Sequence, residues 1–305
     1  MGMKQLFLTL ILLPTFLFAQ TKEQRITYDS LVNKAQAAFQ NRLYESASQM
    51  YLDAIKAFGD KGFNEDRYKA AQSLAQAGRM DPAFANLQRL FDKTSHLEYK
   101  TLDSDSFFIP LHADPRWQIL LEALRPEIPQ LAEQLYQIHH LDQDLRKTLG
   151  ETRKRYGPKS PQMDSLWIKI NLLDSINLLE IKQMLDAHGW LGPKQVGHRG
   201  NTTLWLVIQH ADLATQEHYL PMMQAAADAG KASCGNLAYL EDRILVRKNQ
   251  KQWYGSQHYK PNGSNVTLYF PVEDPDNLND RRESMGLSPF SLELIEEIKK
   301  AGAKE

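Results

Sequence analysis

From Leu31 to Phe91 the apolar residues recur at three- and four-residue steps, and the pattern repeats after a fixed offset. Leu31, Ala35, Ala38 and Phe39 form one stripe, and Tyr44, Ala47, Tyr51, Ala54, Ile55 and Phe58 form the next after a turn at Asn41-Arg42. Tyr68, Ala71, Leu74, Ala75 and Ala77 follow, then a break at Gly78, then Ala83, Leu87, Leu90 and Phe91. Such spacing lines one face of a helix. Ala35 matches Ala71, Ala38 matches Leu74, Ala47 matches Ala83, Tyr51 matches Leu87 and Ala54 matches Leu90, each thirty-six residues on. Small residues where two helices cross, with large ones beside them, let a helical hairpin close and stack on its neighbour.

These hairpins resemble tetratricopeptide repeats, which have a similar period and alanine-rich crossing points. The tryptophan and the helix-ending proline of the ideal repeat are missing. A third, degenerate unit is expected through Phe107, Phe108 and Leu111 to the segment Asp114–Leu124, with Asp114 as cap and Pro115 in the first turn. The resemblance implies a repeat domain over residues 23–125 that presents a concave surface to a protein or peptide partner. A short array can equally pack against the rest of its own chain.

Ahead of the repeats, Met1-Gly2-Met3-Lys4 and an apolar run from Leu6 to Ala19 read as a signal peptide over residues 1–19. The run is shorter than a membrane span requires. The expected destination is therefore export, periplasmic or secreted, with no membrane span after cleavage. Cys234 is the one cysteine, so no intramolecular disulfide can form and stability must rest on packing. A net charge of -1 gives no support for nucleic-acid binding.

Beyond Pro126 and Pro129 the chain reads as a second domain, residues 131–305. One helix carries Leu131, Leu135, Ile138, Leu141, Leu145 and Leu149, and its basic end, Arg146, Lys147 and Arg153 to Arg155, reads as a solvated face. A second runs from Met163 to His188, with Leu166, Ile170, Leu173, Ile176 and Met184 inward and Gly189 as its C-terminal cap. Leu204–Ile208 reads as a short buried helix with Asn201 as cap, or as a buried strand. Asp212 caps a helix reaching about Gly230, and Asn236–Arg243 forms another. Ile244–Val246 and Gln252–Tyr254 read as a β-hairpin, Asn262-Gly263 as a turn, and Val266–Phe270 as a third strand. Asp280-Arg281-Arg282 opens a short helix, and Ser288 caps the last one. The predicted fold class is mostly α: helical hairpins, then an α+β domain with a small antiparallel sheet.

Polar clusters punctuate this second domain: Gln209 to Asp212, Asp242-Arg243, Tyr254-Gly255-Ser256-Gln257, Pro271 to Asp274, and Arg281-Arg282 followed by Gly286-Leu287. Their order resembles an uncharacterised bacterial family, a domain of unknown function, and the resemblance brings no reaction, ligand or cofactor with it. Two functional readings stand. In a binding module, Gln209, Asp212, Arg243, Tyr254, Gln257, Arg281 and Arg282 contact a ligand, the arginines pairing with carboxylates. The same arginines can instead pair with Asp212, Asp242 and Glu273 as internal ties. In a hydrolase, His210 is the general base, Asp242 orients it and an arginine holds developing negative charge. Ser256 is a candidate nucleophile without the flanking glycines of a nucleophile elbow. His210, Glu217 and His218 contain no His-Glu-x-x-His pattern, so neither a metal nor a cofactor is expected.

Overall fold

The computed structural model describes residues 22–93, 97–261 and 267–302. In chain order its helices are α1 (Lys22–Gln40), α2 (Tyr44–Ala57), α3 (Asn64–Gln76), α4 (Met80–Lys93), α5 (Tyr99–Asp103), α6 (Pro115–Leu124) and α7 (Pro129–Lys147). They continue with α8 (Leu149–Tyr156), α9 (Pro161–His188), α10 (Pro193–His210), α11 (Leu213–Asp228), α12 (Cys234–Arg247), α13 (Leu278–Ser284) and α14 (Leu292–Gly302). One antiparallel pair, β1 (His258–Tyr259) and β2 (Leu268–Tyr269), completes the mostly helical fold among the described residues. The predicted signal segment and the Asn262-Gly263 turn lie outside those residues. Among the described residues no helix is long and apolar enough to cross a membrane.

The chain divides into two compact units, residues 1–94 with 105–117, and residues 95–104 with 118–305. In the first, α1 to α4 pack consecutively, each on the next. Ala35, Ala71, Ala47, Ala83, Tyr51, Leu87, Ala54 and Leu90 are all buried, so residues thirty-six apart share the same environment. Arg42 and Gly78 take positive φ at the tight turns within each helix pair. Polar ties close the unit. Arg67 donates to Asn86 and to the Asp60 carbonyl, both at 3.0 Å. Asp105 accepts from Tyr68 at 2.9 Å and from Gln72 at 2.6 Å, which holds the 3-10 segment Ser106–Leu111 on α3. Asp114 accepts from the amide of Arg116 at the start of α6, as its capping role requires.

The second unit is built on α7, α9, α10, α11 and α12. Leu135, Ile138, Ile181, Leu204, Ile208, Met223 and Leu240 fill their interface, each fully buried leucine or isoleucine contributing about 1.5–3 kcal/mol. The segment Leu204–Ile208 is helical, inside a longer element than expected. Asn201 is not its cap: it lies within α10, and its amide donates to the Leu191 and Lys231 carbonyls at 2.8 and 2.7 Å. The helix starts instead at Gly192-Pro193, where Gln195 reaches back to the Gly192 amide, and it kinks at Gly197 with φ 75°.

The predicted hairpin is also corrected. Ile244–Val246 completes α12, where Leu237, Leu240 and Ile244 continue one buried stripe. The sheet is made by His258–Tyr259 and Leu268–Tyr269, paired His258 with Tyr269 and Tyr259 with Leu268. Gln252 forms only an isolated parallel bridge with Val272. The last helix starts at Leu292, and Ser291 rather than Ser288 accepts from its first turn, from the Leu294 amide at 3.2 Å.

Candidate functional site

The predicted site residues separate into two groups. The larger is tied to main chain. Asp242, fully buried on α12, accepts from the amides of Trp253 at 2.7 Å, Tyr254 at 3.0 Å and Ser256 at 2.9 Å. Burial pushes its carboxyl above the usual range, partly offset by those amide bonds. Arg282 donates to the Tyr254 carbonyl at 2.6 Å and the Ser288 carbonyl at 2.8 Å, with its guanidinium 3.7 Å from the Phe290 ring centre. Arg281 donates to the carbonyls of Trp253, Glu273 and Asp274. The Gln252 side chain bonds to Gln257 and to Phe270 main chain. Ser256 is buried within this network. Tyr254 and Gln257 thus belong to a loop that Asp242, Gln252 and Arg282 hold in place.

The second group surrounds the corner between α10 and α11. His210 ends α10, Ala211 is extended, and Asp212 caps α11 by accepting from the Thr215 amide at 2.8 Å. A C-terminal helix turn leaves carbonyls without partners. Here the Gln209 carbonyl accepts from Gln216 at 2.8 Å and Arg243 at 3.3 Å, and the Ala211 carbonyl from Arg247 at 2.6 Å. Arg243 and Arg247, one turn apart on α12, therefore brace the corner. Burial lowers the Arg243 pKa, and the charges of Arg247 and Arg146 add to that. Gln209 is buried, and its amide donates to the Tyr239 carbonyl at 3.3 Å, the same carbonyl that Gln257 reaches at 3.4 Å. Tyr239 links the two groups.

The carboxylate on the imidazole is Asp142, not Asp242, whose oxygens are occupied by loop amides. His210 Nδ1 lies 3.1 Å from Asp142 Oδ1. Asp142 sits on α7 and is 1% exposed. Burial alone would raise its pKa, but the hydrogen bond and charge of His210, with Arg146 and Gln143, hold it below the ordinary carboxylate value. An ionised Asp142 can only accept, so Nδ1 carries a proton and Nε2 is the ring nitrogen turned away from the carboxylate. Among the described residues no side chain bonds to Nε2.

Arg146, expected on a solvated face, turns inward instead. It is one turn beyond Asp142 on the same face of α7. Its guanidinium grips Asp174 of α9 with two bonds, 2.9 and 2.7 Å, and also donates to the Asp142 carbonyl at 2.8 Å. A pocket of about 260 Å³ opens here, lined by Asp142, Asn171, Asp174, Ser175, His210 and Asp212 among others. Asp142, Asp174 and His210 bring ligand-type atoms within 4.8 Å of one another. The cation at this spot is already supplied by Arg146, which neutralises Asp174 in bidentate geometry. A divalent ion would have to displace it.

A family model described as a family of unknown function, DUF6624, matches residues 129–303. The chain belongs to that family. No curated protein and no solved structure matches it. Every residue of both groups, from Asp142 to Arg282, falls within the DUF6624 span, whereas the helical hairpins of α1 to α4 lie outside it.

Proposed function

We propose that the DUF6624 domain carries a general-base site for hydrolysis, with His210 as the base and Asp142 as its orienting carboxylate. The observation behind this reading is an imidazole held through Nδ1 by a buried, ionised carboxylate at the wall of a pocket. Fixing the proton on Nδ1 presents the Nε2 lone pair to a water or a substrate hydroxyl. With Asp174 balanced by Arg146, Asp212 supplies the acidic edge of the pocket, suited to a substrate with an amine or several hydrogen-bond donors. Among the described residues no arginine is placed to hold an anion in this pocket: Arg146 is committed to Asp174, and Arg243 and Arg247 brace helix carbonyls and do not line it. In this reading Asp142 takes the orienting place expected for Asp242, and no arginine stabilises an anion.

The helical hairpins of residues 23–93 are proposed as an interaction surface for a protein or peptide, and the first nineteen residues as an export signal. Support comes from the thirty-six-residue repetition of burial and from the signal-like composition of the first residues.

The base is tested by the tautomer of His210, read from ¹⁵N shifts, together with hydrolysis of L-alanine 4-nitroanilide. The wild type should show Nδ1–H, and His210→Gln and Asp142→Asn should each lower turnover by about 10²–10⁴-fold. An Nε2–H tautomer in the wild type, or turnover unchanged in His210→Gln, refutes the assignment.

A further inference from the structure

A second pocket, about 360 Å³, lies in the same unit, away from the His210 site. Pro126, Pro129, Ala132 and Val196 supply apolar wall, with the rings of Tyr99 and Tyr136. Its volume is in the range of small-ligand sites. The charged groups on its wall are not equivalent. Lys100 and Glu133 neutralise each other at 2.7 and 2.9 Å, with the ammonium 4.4 Å from the Tyr136 ring centre. Three groups remain to be matched.

Arg199 places its guanidinium 5.2 Å from the Tyr136 ring centre and has no side-chain acceptor among the described residues. Arg125 lies 5.4 Å from the Tyr99 ring centre and, among the described residues, its one ion pair is an exposed contact to Glu122 at 3.4 Å. Such an exposed pair holds an arginine weakly. Glu98 faces them. Its Oε1 accepts from the Arg199 amide at 2.6 Å, just past the kink at Gly197, and its Oε2 has no donor among the described residues. Burial pushes this carboxyl up to about 7, against the Arg199 amide and the Arg199 charge, which lower it. The pocket is thus lined by an acid with one oxygen unbonded, a guanidinium without a side-chain acceptor, a second guanidinium held only by an exposed pair, and apolar side chains.

We propose that this pocket binds a small apolar α-amino acid as its zwitterion, the ammonium on Glu98, the carboxylate on Arg199 and Arg125, and the side chain on the proline and valine wall. A carboxylate alone would leave Glu98 unmatched, and an amine alone would leave the guanidinium groups unmatched. This site is independent of the His210 base.

Calorimetry on the full chain tests it near neutral pH, with L-leucine, 4-methylpentanoate and 3-methylbutylamine as probes. L-Leucine should bind at least about tenfold tighter than either half-ligand, because each half forfeits one set of charge-assisted contacts. Binding should also release a fraction of a proton, since the ammonium holds Glu98 ionised beside Lys100, Glu133, Arg125 and Arg199, which line the same pocket. Glu98→Gln retains an acceptor for the Arg199 amide, and Arg199→Met retains packing on Tyr136. Both should weaken leucine binding by about tenfold or more through the lost charge, whereas His210→Gln should leave it unchanged. No binding of leucine at millimolar concentration, equal affinity for either half-ligand, or unaltered affinity in Glu98→Gln overturns the proposal.

Discussion

Asp242→Asn offers the most direct measure of how the C-terminal loop is held. The change conserves shape and removes one oxygen and the charge. In the native chain Oδ1 takes the amides of Trp253 and Tyr254, and Oδ2 takes that of Ser256. An asparagine oxygen in the Oδ1 place keeps the first two, each losing about 1 kcal/mol of charge assistance. Its amide nitrogen then faces the buried Ser256 N–H, donor against donor, at a cost of about 1–3 kcal/mol. The gross loss is about 3–5 kcal/mol. Relief of the burial penalty on the carboxylate, which is what raises its pKa, brings the expected net loss to about 2–4 kcal/mol. Urea unfolding followed by far-UV circular dichroism should show a midpoint lower by about 1–2 M. The sign with pH follows from the raised pKa: Asp242's contribution is full below the ordinary carboxylate range and diminishes as pH rises through its folded value. The gap between wild type and variant should therefore be wider in mild acid than at neutral pH. A midpoint shift below about 0.3 M at every pH would mean that the loop is not held by Asp242.

Two further outcomes follow from Glu98 and its neighbour. The Glu98 carboxyl is pushed up to about 7, so its contribution to stability is present below its ordinary range and lost as pH rises through neutrality. Melting of wild type against Glu98→Gln at about pH 5 and about pH 8 should show the wild-type advantage shrinking; an advantage that grows with pH contradicts the burial of this carboxyl. Gly197→Ala forces a side chain into φ 75°, ψ 164°, with the new Cβ 3.2 Å from Glu98 Oε2. It should cost about 1–3 kcal/mol in chemical unfolding, and a neutral result would show that the kink relaxes freely.

The helices were legible because a 3.6-residue period needs no long-range information. The missed pieces each have a physical reason. Ile244–Val246 reads as a strand by its branched residues, yet Leu237, Leu240 and Ile244 extend a helical stripe, and burial of that stripe prevails over local preference. Asp142 escaped notice although its signal was present. Leu135, Ile138 and Asp142 occupy consecutive positions of one stripe and are all buried, while Leu141, assigned to that stripe from sequence, is 46% exposed. A carboxylate at a core position demands a partner. The partner, sixty-eight residues away, was not readable from spacing. Arg146 follows from the same observation, one turn on. On α9 the same exchange occurs: Ile176 is exposed and Asn177 is buried.

Both polar groups contain an aspartate, arginines and a glutamine, so residue type alone cannot separate a tie from a site. What separates them is where the bonding capacity ends. Around Asp242 the partners are main-chain amides and carbonyls, which are fixed by the fold and leave little capacity for a ligand. Around His210 the partners are other side chains on three helices, Asp142 on α7, Asp174 on α9 and the imidazole on α10, set about a cavity. Main-chain partners make a loop rigid; side-chain partners facing a cavity can exchange a bond for one to substrate. Arg146 sharpens the contrast, since it balances the acid at Asp174 and lets Asp142 remain ionised beside the imidazole. With that balance internal, the proposed base at His210 has an Nε2 to which no side chain bonds among the described residues.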